Sequence, residues 1–494
     1  MKPMDRRRFL LLTAATATSL NTFAQATSSS AATLTLHPDR PGPKVPENFI
    51  GLSYETQQLS DPSFFSPANK GLIEQLRALA PRGVLRIGGN TSDYGFWKPT
   101  PTSTMPPRKP REYKVGDPPP DMSYAVTPEA VTNLKGFLDA TGWTCLYGIN
   151  LGTNIPSLAA DEAVFVSKTL GAKLEYFQIG NEADRFGSTI RDPKTWSADK
   201  FIDEWLTFAN AIIARVPNAK FGMPDIASNA QWFATIGDRL STDPIRSHIA
   251  CLSHHYYIGG PPSNPEMTID HILKADPRVT RVGGIVSAAS AKVGAPWRMT
   301  EGNTCYRGGK PGVSDVFAAS LWSADYLLLL ASLGYAGVNL HGGDGQMVAN
   351  SLGGKLPGDE VVLAEHGNPA DHPHPYYTPI AHIGEKYVAE PVSFGMLFAG
   401  HFAGATIIPI DFNPGDVNAT AYAALLPFGQ VIVAIINKDA TKSLPIKLPG
   451  FTGSLVMHAA SLTSTKVELT EPAGLREINS VPPFTAVLLT STRG

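Results

Sequence analysis

The sequence predicts an α/β protein, a parallel (β/α)8 TIM barrel with a β-sandwich at its carboxy-terminal end. Three observations carry that expectation. Eight short apolar runs, each closed by a polar or glycine-rich break, alternate with amphipathic stretches of helical spacing. Beyond residue 390 the pattern changes to short β-rich runs separated by glycine, proline, asparagine and aspartate. The chain has 494 residues, more than the about 250 typical of one barrel, so a second unit is expected.

In chain order, the amino terminus reads as a leader over residues 1–26. Arg6-Arg7-Arg8 precedes the apolar run Phe9 to Leu12 and a small-residue stretch ending in Ala24-Gln25-Ala26, the small-x-small form of a cleavage site. Asp5-Arg6-Arg7-Arg8-Phe9-Leu10 resembles the twin-arginine signal that exports folded proteins, so a periplasmic or secreted location is expected. Residues 27–44 contain Thr33-Leu34-Thr35-Leu36, whose alternation suits a strand joining the carboxy-terminal sheet. The catalytic barrel is expected over 45–390 and the β-sandwich over 391–494.

The eight barrel strands are expected at Phe49 to Tyr54, Val84 to Ile87, Thr144 to Ile149, Leu174 to Ile179, Phe221 to Pro224, Cys251 to His254, Trp297 to Thr300 and Gly337 to Leu340. Helices fall between them at Gly71 to Leu79, Pro128 to Thr141, Ala160 to Leu170, Trp196 to Arg215 and Val316 to Leu333. The later strands are Thr406 to Ile410, Ala421 to Leu426, Gln430 to Ile436, Ser443 to Leu448, Ser454 to His458 and Thr485 to Leu489. This sandwich is expected to support the barrel, with carbohydrate binding as the alternative.

Hydrophobic residues at 43% and charged residues at 17% suit a chain that buries a sizeable core. A formal net charge of -2 argues against nucleic-acid and membrane-surface partners, which favour a strongly basic face. A monomer is expected. Cys145, Cys251 and Cys305 are read as small core residues, Cys305 lining the site. No cofactor or metal is called for. His254 and His255 are adjacent in a strand and so point to opposite faces, and the histidines of His372-Pro373-His374 lack zinc-site spacing.

The chemistry lies in two segments. Phe177-Gln178-Ile179-Gly180-Asn181-Glu182 and Trp297-Arg298-Met299-Thr300-Glu301-Gly302-Asn303 each place a glutamate where an apolar strand gives way to a loop. Retaining glycoside hydrolysis needs one carboxylic acid to protonate the leaving oxygen and one carboxylate to attack the anomeric carbon. Either segment alone is just a polar strand end; their order adds meaning, because barrel enzymes gather catalytic groups at the carboxyl ends of several strands. Glu182 follows strand four and Glu301 strand seven.

That placement resembles the clan of retaining barrel glycosidases with an Asn-Glu acid/base after strand four and a nucleophile after strand seven. Leu85-Arg86-Ile87-Gly88-Gly89-Asn90-Thr91-Ser92-Asp93, Ser253-His254-His255-Tyr256-Tyr257-Ile258-Gly259-Gly260 and Glu301-Gly302-Asn303-Thr304-Cys305-Tyr306-Arg307-Gly308-Gly309 further resemble glycoside hydrolase family 79, the β-glucuronidases and heparanases, over roughly residues 45 to 390. The resemblance implies Glu182 as acid/base, Glu301 as nucleophile and Asn181 on the sugar 2-hydroxyl. It also implies Tyr306 and the Gly308 amide on the uronate carboxylate, with Tyr377 as a further candidate there. Tyr257 would donate to Glu301, and Glu55 and Asn90 would face sugar hydroxyls. Arg307 interrupts the family's Tyr-Gly-Gly run and faces either substrate or solvent.

Two long connections, 98–126 with Arg108, Lys109, Arg111 and Lys114, and 342–378 with Asp344, His366, His372 and His374, are either solvated loops or walls of the substrate pocket. The resulting expectation is a retaining exo-β-glucuronidase acting on carbohydrate bearing terminal β-glucuronate. The rival readings are an arabinofuranosidase or xylosidase of the same clan, a heparanase-like endo-enzyme and a non-catalytic carbohydrate-binding barrel.

Overall fold

The computed structural model describes residues 31–105, 124–352, 374–472 and 477–492. The expected leader at 1–26 and the loop residues Arg108, Lys109, Arg111, Lys114, His366 and His372 lie outside these. Among the described residues no helix is long and apolar enough to cross a membrane.

Eight parallel strands close into a barrel: β1 (Ile50–Glu55), β2 (Val84–Gly88), β3 (Thr144–Ile149), β4 (Leu174–Ile179), β5 (Phe221–Ile226), β6 (Ile249–Gly259), β7 (Trp297–Cys305) and β8 (Val338–His341). Each pairs with its sequence neighbours, and β8 closes on β1 through Val338 opposite Ile50 and His341 opposite Ser53. The expected strands are all present. β6 and β7 run several residues past their expected ends, because the polar residues that seemed to end them, His255 to Tyr257 and Glu301 to Asn303, are still paired strand residues.

Helix boundaries follow local chemistry. In Pro128–Thr141 the Thr127 side chain accepts from the Ala130 N–H, proline occupies the first turn, and Gly142 ends the helix in the left-handed region (φ 83°). Trp232–Leu240 and Pro277–Val293 were not anticipated. The second is rich in glycine, alanine and serine, which blurs the apolar stripe on which the sequence reading depends.

Beyond the barrel, six antiparallel strands form one sheet in the order Thr406–Ile408, Ala419–Leu425, Val431–Asn437, Thr485–Ser491, Phe451–His458, Glu468–Thr470. Thr33–Leu36 pairs antiparallel with Ile410–Asn413, but as a separate two-stranded sheet that packs on the second core and not as a strand of the six-stranded sheet. The expected strand Ser443 to Leu448 shrinks to Leu444–Pro445, since Pro445 has no N–H to continue a ladder. The sheet is apolar on both faces. Ile432, Ala434 and Ile436 join the barrel's hydrophobic core, whereas Val433 and Ile435 face a second core with Leu444, Val481 and Leu489.

A connection between two strands of the sheet also caps a barrel helix. Helix Phe317–Ser332, which follows β7, has no side-chain cap, and its first N–H groups donate to the Ser464 and Leu462 carbonyls. From the same helix Asp325 accepts hydrogen bonds from Thr420 Oγ1 and Tyr422 OH, 2.6 Å each, and pairs with Lys438.

Candidate active site

The carboxyl ends of the strands converge on one guanidinium. Arg86, on β2, is fully buried and uses every N–H it has. Its Nε donates to Gln178 (2.9 Å), Nη1 to Ser53 Oγ (2.9 Å) and Glu301 Oε2 (2.7 Å), and Nη2 to Asn181 Oδ1 (2.7 Å) and Asp225 Oδ2 (2.5 Å). Glu301, on β7, is therefore held by a cation on one oxygen, and its other oxygen accepts from Tyr257 OH at 2.9 Å. Burial alone would raise the Glu301 carboxyl. His341, His255 and Arg86 together outweigh burial and hold it at about 2.

Glu182 lies just past β4 in the left-handed region (φ 48°), its N–H donating to the Asp225 carbonyl. Its side chain is 22% exposed, against 9% for Glu301, so it faces the open side of the site. Here burial raises the carboxyl, and the charge of Glu301 adds to that; the hydrogen bond and charge of His255 oppose it, and the net shift is upward. The two glutamates thus take opposite protonation tendencies from one environment.

His255, on β6, lies between them. Its Nδ1 is 2.9 Å from Glu182 Oε1 and its Nε2 is 3.2 Å from Asp225 Oδ2. Burial disfavours the imidazolium, but Asp225, Glu301 and Glu182 reverse that and push its pKa up to about 10. His254 points the other way, with Nε2 2.8 Å from Tyr335 OH, and burial lowers it to about 4. Adjacent histidines on opposite faces is what strand geometry requires.

An oxygen of Glu182, an oxygen of Glu301 and a nitrogen of His255 lie within 4.8 Å of one another, a trio able in principle to hold a cation. Its carboxylates already have cationic partners: a dication there would meet the Arg86 guanidinium 2.7 Å from Glu301, and His255 is shared between Glu182 and Asp225. The donor set does not fit a metal.

Around this centre, Glu55 of β1 accepts from the N–H (2.9 Å) and Oγ1 (2.7 Å) of Thr91, and its other oxygen lies 3.4 Å from His341 Nε2. Gly89 makes this approach possible: at φ 74° it needs no side chain, and a Cβ would fall 2.4 Å from the Glu55 carboxylate. Asn90 Oδ1 accepts from Asn181 Nδ2 at 3.0 Å, so these two candidates are brought together. Tyr377 is buried beside Tyr257 and His341, with ring centroids 6.2 and 5.9 Å away. Burial raises its phenol, helped by Glu301 and Glu55.

Tyr306 stands at the rim, 39% exposed and edge-on to Tyr257 at 6.3 Å. The turn after it uses left-handed conformations at Arg307, Gly308 and Gly309, and the Gly309 N–H is taken by the Cys305 carbonyl. Arg307 is exposed. Cys145, Cys251 and Cys305 are buried free thiols. Burial pushes the Cys251 and Cys305 thiols up to about 12.

Of the nine candidates from the sequence, Glu301 contacts Tyr257, Asn181 contacts Asn90, Tyr377 lies beside Tyr257, Tyr306 stands at the rim with Gly308 in the turn after it, and Glu182 and Glu55 approach the same cluster through His255 and His341. Arg86, Asp225, His255 and His341 were missed as functional residues. Arg86 lies inside its apolar run, and Asp225, His255 and His341 each directly follow theirs, but alternation alone does not separate them from His254, which is buried in β6 and faces Tyr335.

No family model matches the chain. Two curated relatives are similar to it: a β-glucuronidase of Aspergillus niger, 28% identical over 310 residues, 58% of this chain and 55% of that protein, and one of Neurospora crassa, 25% identical over 319 residues, 58% and 54%. The aligned part spans about half the length of these relatives. Among solved structures, a 4-O-α-L-rhamnosyl-β-D-glucuronidase from Fusarium oxysporum superposes with a TM-score of 0.65 at 17% identity, covering 94% of this chain and 99% of that one. A family 51 arabinofuranosidase from Xanthomonas axonopodis gives 0.63 at 15% identity, covering 94% and 100%. At these identities the superpositions show the fold: this chain shares the barrel and appended β-strands of (β/α)8 glycosidases.

Proposed function

We propose that this chain is a retaining exo-β-glucuronidase of the family 79 type, exported by the leader at 1–26, with residues 45–390 as the catalytic unit and the strands at 27–44 and 391–494 supporting it. The observation that carries the reading is the pair Glu182 and Glu301, oxygens within 4.8 Å, one carboxyl raised and the other held at about 2. Retaining enzymes separate their carboxyl groups by about 5–5.5 Å and inverting ones by about 6.5–9.5 Å. The curated β-glucuronidase relatives support the sugar.

In the first half-reaction Glu301 attacks the anomeric carbon while Glu182 protonates the departing oxygen. In the second, Glu182, now ionised beside His255, takes a proton from water, which displaces Glu301. Arg86 and Tyr257 keep Glu301 ionised and aim it. Asn181, whose Oδ1 and Nδ2 are fixed by Arg86 and Asn90, holds the 2-hydroxyl, and Glu55 and Asn90 take other hydroxyls. Tyr306 OH, the Gly308 N–H and Tyr377 bind the uronate carboxylate, neutral donors suited to an anion next to carboxylates that already have cationic partners.

A panel of nitrophenyl glycosides tests this. Hydrolysis of the β-glucuronide well ahead of the β-glucoside, β-xyloside and α-arabinofuranoside is expected. Preference for a neutral sugar would overturn the glucuronate assignment, and no turnover of any glycoside would leave a binding barrel.

A further inference from the structure

Glu182 sits in a backbone conformation that its own side chain does not favour, so something outside it must fix the peptide that carries it. We infer that Asp93 is a positioning residue for the acid/base, fixing the Asn181–Glu182 segment through main-chain hydrogen bonds; this rests on the proposed role of Glu182.

Asp93 lies in the turn after β2, is 2% exposed and is surrounded by main-chain donors. Its Oδ1 accepts from the N–H of Leu151 (3.0 Å) and Gly152 (2.8 Å), just past β3, and its Oδ2 accepts from the N–H of Asn181 (3.0 Å), just past β4. Thr153 Oγ1 closes the knot by donating to the Asp93 carbonyl at 2.7 Å. The fit is tight, since a Cβ on Gly152 would fall 2.8 Å from the Asp93 Cβ. One carboxylate therefore ties three successive strand ends together, and the one N–H it holds on the last of them belongs to the residue before Glu182. None of its oxygens points at the sugar site through a described contact, so its influence runs through the peptide.

Asp93→Asn isolates that bond. The amide keeps the shape but replaces one acceptor oxygen with a donor. Its remaining oxygen suits the position shared by Leu151 and Gly152, so its NH2 meets the Asn181 N–H, two donors face to face, and the peptide shifts. A displacement of about 1 Å at a catalytic group costs on the order of a hundredfold in rate. The loss falls on the step in which Glu182 donates its proton, so it depends on the leaving group.

The test measures kcat/KM of the unaltered protein and of Asp93→Asn on two glycosides of the sugar the unaltered protein accepts, one with dinitrophenolate and one with an alkoxide as leaving group. The expected result is a loss on the alkyl glycoside about tenfold or more greater than that on the dinitrophenyl glycoside. Equal losses on both, or none on either, would overturn the inference, because a merely structural role lowers both alike. If Asp93→Asn does not fold, Thr153→Val, which loosens the Asp93 turn without placing a donor against Asn181, is expected to give the same selectivity at smaller size; equal losses there overturn it too. Preference for another sugar would refute the glucuronate assignment while leaving this comparison intact, whereas absence of any glycosidase turnover removes both.

Discussion

Arg86 and His255 make two identical side chains unequal. Both glutamates are desolvated, but Glu301 accepts directly from a guanidinium, whereas Glu182 has a histidine shared with Asp225 on one side and solvent on the other. On the proposed roles, activity needs Glu301 ionised and Glu182 protonated. The rate should therefore fall as pH drops toward about 2 and again as pH rises through the elevated Glu182 value, and a pH profile of kcat/KM checks both limbs. In Glu182→Ala the alkaline limb should vanish on substrates with good leaving groups, and added azide should restore turnover; Glu301→Gln should be inactive on every substrate. Equal loss in both variants with no azide rescue would contradict the division of roles. Tyr306→Phe should lower kcat/KM on a nitrophenyl glucuronide by about 1–3 kcal/mol, the scale of a hydrogen bond to a charged group, toward the low end because the side chain is partly exposed. The matching glucoside should lose little; equal losses would make Tyr306 a shaping residue.

At the scale of elements, the strand ends explain what could be read from the sequence and what could not. Glu182 and Glu301 were legible because each closes an apolar run at a counted position, and Thr33–Leu36 because its alternation matched the later strands. Arg86 sits inside its run, where a charged residue could equally be a strand interruption, and Asp225 follows Pro224 just past the expected end of its run; only closure of the barrel turns them toward Glu301 and His255. Asp93 was beyond reach for another reason: its partners are main-chain N–H groups contributed by distant loops, which leave no mark in side-chain pattern. The long connections are partly accounted for. Phe96–Trp97 pairs with Ala125–Val126 and Tyr124 OH donates to the Thr91 carbonyl, beside Glu55; helix Gly345–Ser351 packs Val348 and Ala349 near Tyr377 and Tyr257. The proposed exo-action requires a pocket for one terminal sugar. Chromatography of early products from a glucuronate-bearing polysaccharide should show free glucuronic acid first, and oligosaccharides appearing before it would favour an endo-acting cleft.

For the whole molecule, the appended sheet is part of the barrel's stability. Lys438 is buried against Asp325, on the helix that follows β7. Removing one partner of a buried pair leaves an uncompensated charge, so Lys438→Met should destabilise the fold by about 3 kcal/mol, read as a lowered Tm, and adding Asp325→Asn should recover much of it. A Tm unchanged in the single variant would mean that the sheet and barrel are only loosely joined. The proposed double displacement on glucuronate joins Glu182 and Glu301 from two strand ends of the barrel. Proton NMR of a nitrophenyl β-glucuronide digest, recorded before mutarotation, tests it most directly: the β-anomer of glucuronic acid should appear first, and first appearance of the α-anomer would contradict Glu301 as the nucleophile.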